Sequence, residues 1–261
     1  MGKLKIDEAI GHVLRNGDKA FVPYIMAGDG GLDQLESQIQ LLADAGATVI
    51  ELGIPFSDPV ADGPTIQESG QRALKNGVTL RKVLNELKRF KQDREIPVVL
   101  MTYINPIYAY GPKQFAEDCE ASGVDGVIIP DIPLEETDHV AEALKEHEIA
   151  FIRLASLTST PERLAKISEQ TEGFLYAVTV NGITGTHNGF GESLGDHLSN
   201  MRKLTNNPIF AGFGVSSPEH VRELTEHCDG VIVGSKIVDL LHNDNEDEIR
   251  TLIQSAKITH V

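Results

Sequence analysis

Short apolar runs alternate along this chain with segments whose apolar positions recur every three or four residues. Ala20-Phe21-Val22-Pro23-Tyr24-Ile25 is the first run, and its apolar continuity predicts a buried strand. Leu35, Ile39 and Leu42 then recur at helical spacing, and Gly46 supplies the stop signal. The alternation repeats, with further strands predicted at 47–52, 98–103, 126–129, 149–154, 174–180, 208–211 and 230–233. Helical segments are predicted at about 65–75, 80–91, 105–110, 113–122 and 135–146. Thr160-Pro161 reads as an N-cap followed by proline at the first helical position, and Ser217-Pro218 opens another helix. The C-terminal region reads as helical, interrupted by an acidic loop over 243–248.

Mostly continuous apolar strands imply burial on both faces, as a parallel sheet requires. Eight strand–helix units within 261 residues predict a (β/α)8 barrel with extra helices, and no linker or shift in composition divides residues 1–261 into more than one domain. A doubly wound open sheet is the alternative, but it does not call for eight such evenly spaced units.

Composition changes this picture mainly by exclusion. The chain is 41% hydrophobic and 24% charged, with a formal net charge of −16. That balance argues against nucleic acid and anionic membrane surfaces, which call for clustered Lys and Arg. Cys119 and Cys228 are the only cysteines, too few for a disulfide framework, and both fall in inert helical settings. The opening MGKLKIDEAIGHVL lacks a signal-peptide apolar core, and no run approaches the length of a membrane span, so a cytoplasmic setting is expected. The nine His residues show no HExxH or CxxC-like company, so no metal is expected; His187 lies alone in a glycine-rich loop.

Candidate chemistry concentrates in ELGIPFSDPVADGPT, residues 51–65. Glu51 follows the apolar run Thr48-Val49-Ile50, so partial desolvation would raise its pKa toward neutrality. Asp62 lies beyond, in a loop that proline and glycine make neither helix nor strand, and would stay ionised more easily. Two carboxyls in different environments can divide the acid and base roles. In a barrel, the loops after the strands share the face that carries active sites. That face would collect Glu51, Asp62, Asp131, Tyr176 and three glycine turns: 182–185, 212–214 and Gly234-Ser235. Glycine lets backbone N–H groups approach an anion, and a helix opening at Ser235 adds its positive end, so the three turns together predict a phosphate cradle. Any single turn is better explained by strand termination. Tyr24, Met101, Ile128 and Phe213 fall near strand ends and could line an apolar pocket for a flat ring, although each alone fits the core. The long glycine-rich stretch 181–195 has the composition of a loop that closes over a substrate.

These residues resemble the tryptophan synthase α subunit family. ELGIPFSDPVADGPTIQ is similar to the family's most specific signature, and FVPYIMAGD, LMTYINPI, IIPDIPLEE, NGITGT, GFGVSSPE and VIVGSKIV follow in the family's order over nearly the whole chain. The resemblance implies a barrel lyase that cleaves indole-3-glycerol phosphate to indole and glyceraldehyde 3-phosphate. It implies Glu51 and Asp62 as the catalytic carboxylates. Tyr176 matches the tyrosine beside that glutamate, and Thr184 matches the loop threonine that meets the aspartate on closure. Tyr24, Ile66, Met101, Ile128 and Phe213 match positions around the ring. Gly185, Gly214, Gly234 and Ser235 match the phosphate site. It further implies a β subunit that carries pyridoxal phosphate, with no cofactor in this chain, in an α2β2 assembly. Loops around Pro55 to Pro59, Asn105-Pro106 and Asp131 to Pro133 match the docking side, which makes Asp58 an interface residue. Met26 and Tyr24 depart from the family's usual residues and bear on pocket shape. Another phosphosugar barrel enzyme, or a scaffold for the β partner without chemistry of its own, are the competing expectations.

Overall fold

Eight strands close into an all-parallel barrel in chain order in this computed structural model, which describes residues 2–156, 158–178, 192–212 and 214–257. They are β1 (Ala20–Met26), β2 (Ile50–Gly53), β3 (Val98–Met101), β4 (Gly126–Ile128), β5 (Ala150–Ser156), β6 (Leu175–Val178), β7 (Ile209–Gly212) and β8 (Gly230–Val233). β1 pairs with β8 and closes the barrel, with Ala20 opposite Gly230 and Val22 opposite Ile232. The helices around it are α1 (Gly2–Arg15), α2 (Leu35–Ala45), α3 (Pro64–Lys75), α4 (Leu80–Arg89), α5 (Ile104–Tyr110) and α6 (Pro112–Ser122). Then come α7 (Asp138–Glu146), α8 (Pro161–Gln170), α9 (Glu192–Arg202), α10 (Pro218–Thr225), α11 (Ser235–His242) and α12 (Glu246–Gln254).

The local signals act as their chemistry dictates. Gly46 ends α2 in the left-handed conformation, at φ 101°. The hydroxyls of Thr160 and Ser217 accept the backbone N–H of Arg163 and His220, each followed by proline at the first helical position.

Strand alternation sorts the core into two clusters. Ala20, Val22, Val49, Val99, Ile128, Ala150, Ile152, Phe174, Phe210 and Ile232 fill the barrel interior, where the Phe174 and Phe210 rings stack with centroids 4.4 Å apart. The outward faces pack against the helices in a larger cluster that includes Phe21, Leu52, Leu100, Val127 and Leu175.

Four features differ from the sequence expectations. Helix α1 was not expected, yet its Ile6 and Ile10 are buried in the interior cluster and plug the end where the strands begin. The segment read as one helix over 135–146 is a 3-10 turn, Leu134–Glu136, followed by α7, because Thr137 turns its hydroxyl back to the Leu134 carbonyl. The acidic stretch 243–248 is only partly a loop: Asn245 caps Glu248 N–H, and Glu246, Asp247 and Glu248 form the first turn of α12, where carboxylates complement the helix dipole. Likewise α9 already begins at Glu192, inside the stretch read as loop to Gly195.

Candidate active site

The barrel register sets the site. Tyr24 on β1 stands opposite Glu51 on β2, and Gly53 stands opposite Met101, which in turn pairs with Ile128. On β6, Tyr176 pairs with Leu154 and Phe210, and with Met101 it packs onto the interior cluster. A Cβ at Gly53 would lie 1.9 Å from the Tyr24 hydroxyl, and one at Gly212 would lie 2.6 Å from the Tyr176 ring. Both strand-end glycines therefore make room for a tyrosine lying across them. Gly212, read from sequence as part of a phosphate turn, serves this steric purpose as the last residue of β7.

Glu51 is 1% exposed, and neither carboxyl oxygen has a hydrogen-bond partner among the described residues. Burial, and secondarily the Asp62 charge, push its pKa up to about 8. Asp62 is half-buried in the loop that leads from β2 to α3, immediately before the Gly63 N-cap and Pro64. Burial raises its pKa too, and the nearby Tyr103 phenol opposes that rise. Tyr24 and Tyr176 are held far above their ordinary pKa, by burial first and then by the two carboxylates, so both stay neutral hydroxyls. At neutral pH the site thus combines a protonated, buried carboxyl with a shallower carboxyl, next to two phenols. One can give a proton while the other accepts a hydrogen bond.

The loop that carries Asp62 is pinned at three points. Ala61 N–H donates to the Tyr103 hydroxyl at 3.0 Å, the Gln67 amide donates to the Asp62 carbonyl at 2.8 Å, and Phe56 packs on the Tyr103 ring at 5.3 Å. Tyr103 was not singled out from sequence, because a tyrosine at the end of an apolar run looks like core. Its one signal is its place just past β3, on the loop face.

The expected ring and phosphate residues meet at Gly234. The atoms nearest a Cβ built there are Ile66 Cδ1 at 3.6 Å and Tyr24 Cβ at 3.7 Å. Gly234 caps α11 without any side-chain hydrogen bond, and Ser235 is the first residue of that helix. The opening N–H groups of α11 are therefore left for an external acceptor. Gly214 adopts φ 67°, a left-handed backbone that favours glycine. Lys236 turns away to Glu248 at 3.1 Å. Met26 is buried, with its terminal methyl against α3 at Gly70. Thr184, Gly185, His187 and Phe213 lie outside the described residues.

The residues expected at a partner surface share one sector of the rim, after β2, β3 and β4. Asp58, Asn105 and Pro133 are exposed, while Pro106 and Asp131 are half-buried. Asp131 Oδ1 accepts Ile104 N–H at 2.9 Å and so ties two of these loops together. Val60 and Tyr108 stand out in the same sector as large apolar side chains, 80% and 50% exposed. Among the described residues no group of His, Cys, Asp and Glu is arranged to hold a metal, and no helix is long and apolar enough to cross a membrane.

The comparisons agree with this geometry. Residues 11–260 match the family model described as tryptophan synthase alpha chain. The chain is 54% identical over 256 residues to a tryptophan synthase alpha chain of Oceanobacillus iheyensis, covering 98% of both chains. It is 50% identical over 250 residues to one of Bacillus cereus, covering 96% of this chain and 97% of the relative. Among solved structures, tryptophan synthase subunit alpha of Legionella pneumophila superposes with a TM-score of 0.87 at 32% identity, covering 97% of this chain and 98% of the other. A chain of the tryptophan synthase α2β2 complex of Pyrococcus furiosus gives 0.82 at 39% identity, covering 92% and 96%. A closed barrel, a buried unpartnered glutamate beside an aspartate and this near full-length likeness lead to one conclusion: the chain belongs to the tryptophan synthase alpha chain family.

Proposed function

We propose that this chain cleaves indole-3-glycerol phosphate to indole and glyceraldehyde 3-phosphate, with Glu51 and Asp62 as its acid–base pair. The observation that carries the assignment is Glu51: a carboxyl with both oxygens unpartnered, buried at the mouth of the barrel, with its pKa near 8. A structural carboxylate would be hydrogen-bonded or ion-paired; this one is kept neutral and free to react.

Indole leaves poorly as a carbanion. Protonation of ring carbon C3 by Glu51 creates an electron sink, and Asp62 accepts the ring N–H and stabilises the positive charge developing on nitrogen. Glu51, now ionised, takes the proton from the hydroxyl on the side-chain carbon bonded to C3. That carbon becomes the aldehyde, the electrons of the breaking C–C bond return to the ring, and Glu51 ends protonated as it began. Tyr24, Ile66, Met101, Ile128, Tyr176 and Phe213 are assigned to the ring pocket, with Thr184 at the loop edge. Gly185, Gly214, Gly234 and Ser235 are assigned to the phosphate. Every step falls to a side chain or backbone group of this chain. Pyridoxal phosphate is assigned to a β subunit that docks on the Asp58, Asn105–Pro106 and Asp131–Pro133 sector to form α2β2, in the cytoplasm.

The test is indole release from indole-3-glycerol phosphate by the wild type, Glu51→Gln and Asp62→Asn, each with and without a β subunit. Loss of a general acid–base group costs about 10²- to 10⁴-fold, so kcat is expected to fall by that much in Glu51→Gln. Release that rises with β in the wild type and collapses in both variants supports the assignment. A Glu51→Gln variant within a few-fold of wild type overturns it.

A further inference from the structure

We infer that Tyr103 is a positioning residue of the lyase site, holding the loop that carries Asp62 through its hydroxyl at Ala61 and linking that loop to the partner-facing helix α5. The inference rests on the proposed role of Asp62.

Tyr103 is 4% exposed and occupies the junction of three elements. It lies two residues past the end of β3 and is the N-cap of α5, the helix that carries Asn105, Pro106 and the exposed Tyr108. Its phenol oxygen accepts Ala61 N–H at 3.0 Å, one residue before Asp62. That acceptance leaves the phenol proton free to donate, and the phenol's nearness favours the ionised form of the Asp62 carboxylate. The ring is fixed by Phe56 at a centroid distance of 5.3 Å. The next residue, Ile104, donates its N–H to Asp131 on the neighbouring loop at 2.9 Å. A shift of α5 against a partner would therefore move the hydroxyl that holds the backbone of the catalytic loop one residue before Asp62. The charged groups around this phenol are Asp62 and, from the loop after β4, Asp131, and burial keeps the phenol itself protonated. Because the nearby phenol favours the ionised form of Asp62, losing its hydroxyl raises the Asp62 pKa.

The experiment uses the α2β2 complex and the isolated chain with Tyr103→Phe, which keeps the ring on Phe56 and removes only the hydroxyl. One neutral hydrogen bond is worth about 2- to 10-fold, so kcat is expected to fall by that much with KM little changed. The acid limb of the kcat–pH profile should move to higher pH, and stimulation by β should shrink. A purely structural tyrosine would lower the melting temperature without moving that limb. The double variant Tyr103→Phe/Asp62→Asn should be no slower than Asp62→Asn alone, because the hydroxyl acts through the carboxylate. An unmoved acid limb with intact stimulation by β overturns the positioning role. If Asp62→Asn itself stays active, the site assignment fails instead, so the two failures are distinguishable.

Discussion

An ionised Glu51 is a buried charge without a hydrogen-bond partner, and the fold must bear its cost. The unfolded carboxyl titrates near 4.5 and the folded one near 8, so the native state binds more protons between those values. Stability from this residue is fully present below about pH 4.5 and is lost as the pH rises through about 8. Glu51→Gln removes the titration while keeping the shape. The variant is expected to gain little at pH 5 and an increasing amount towards pH 9, on the order of a few kcal/mol. Urea unfolding of both proteins across that range checks it, and a gain independent of pH would falsify the raised pKa. Stability gained where activity is lost is the usual sign of a site built against the preferences of the fold. Glu51 was legible in the sequence because a charge after three buried residues breaks the local pattern. Tyr103 and Gly53 were not, because their importance lies in which loop or ring crosses them, and only the barrel register decides that.

At the scale of elements, the strand–helix alternation was legible because each strand is apolar throughout and each helix is punctuated by Gly, Pro or a capping hydroxyl. The boundaries that slipped are ones where polar sequence hides order: three carboxylates look like loop until they stand at the start of α12. The element missed altogether was α1, whose two buried isoleucines lie four residues apart among charged neighbours. Ile6 is wholly buried, and Cβ atoms added at Gly126 or Gly173 would lie 3.0 Å from its side chain, which shows how closely it fits the floor of the barrel. Truncating a buried isoleucine to alanine costs roughly 2–5 kcal/mol, so Ile6→Ala is expected to lower stability by that amount. The catalytic loops lie at the other end, so kcat per folded molecule should stay within about twofold, well below the effect of losing an acid–base group. Leu4 on the same helix is 60% exposed, and Leu4→Ala should change stability by no more than about 0.5 kcal/mol. Equal losses in the two variants, measured by thermal unfolding, would show that α1 is not a plug.

At the scale of the whole molecule, the barrel has one closed end, plugged by α1, and one working end whose rim is divided by function. Glu51, Asp62 and the start of α11 face the centre, while the segments after β2 and β3 present Val60 and Tyr108 outward. A chain with a net charge of −16 can afford exposed apolar residues only where something covers them or where they are scattered singly. Val60 and Tyr108 are not scattered, because they share the rim sector assigned to the β subunit. Tyrosine in such a setting contributes a large rigid surface at low entropic cost, and interface tyrosines often cost more than about 1.4 kcal/mol when truncated, a factor of ten in affinity. Tyr108→Ala is therefore expected to weaken association with the β subunit at least about tenfold. Indole release by the isolated chain should be unchanged, since the Tyr108 side chain is 50% exposed and is not among the residues assigned to the ring, the phosphate or the acid–base pair. Titration calorimetry gives the affinity and a single-chain assay gives the rate. An unchanged affinity would move the docking face elsewhere on the rim, whereas a loss in both readings would mean that α5 is part of the catalytic framework rather than a surface added to it.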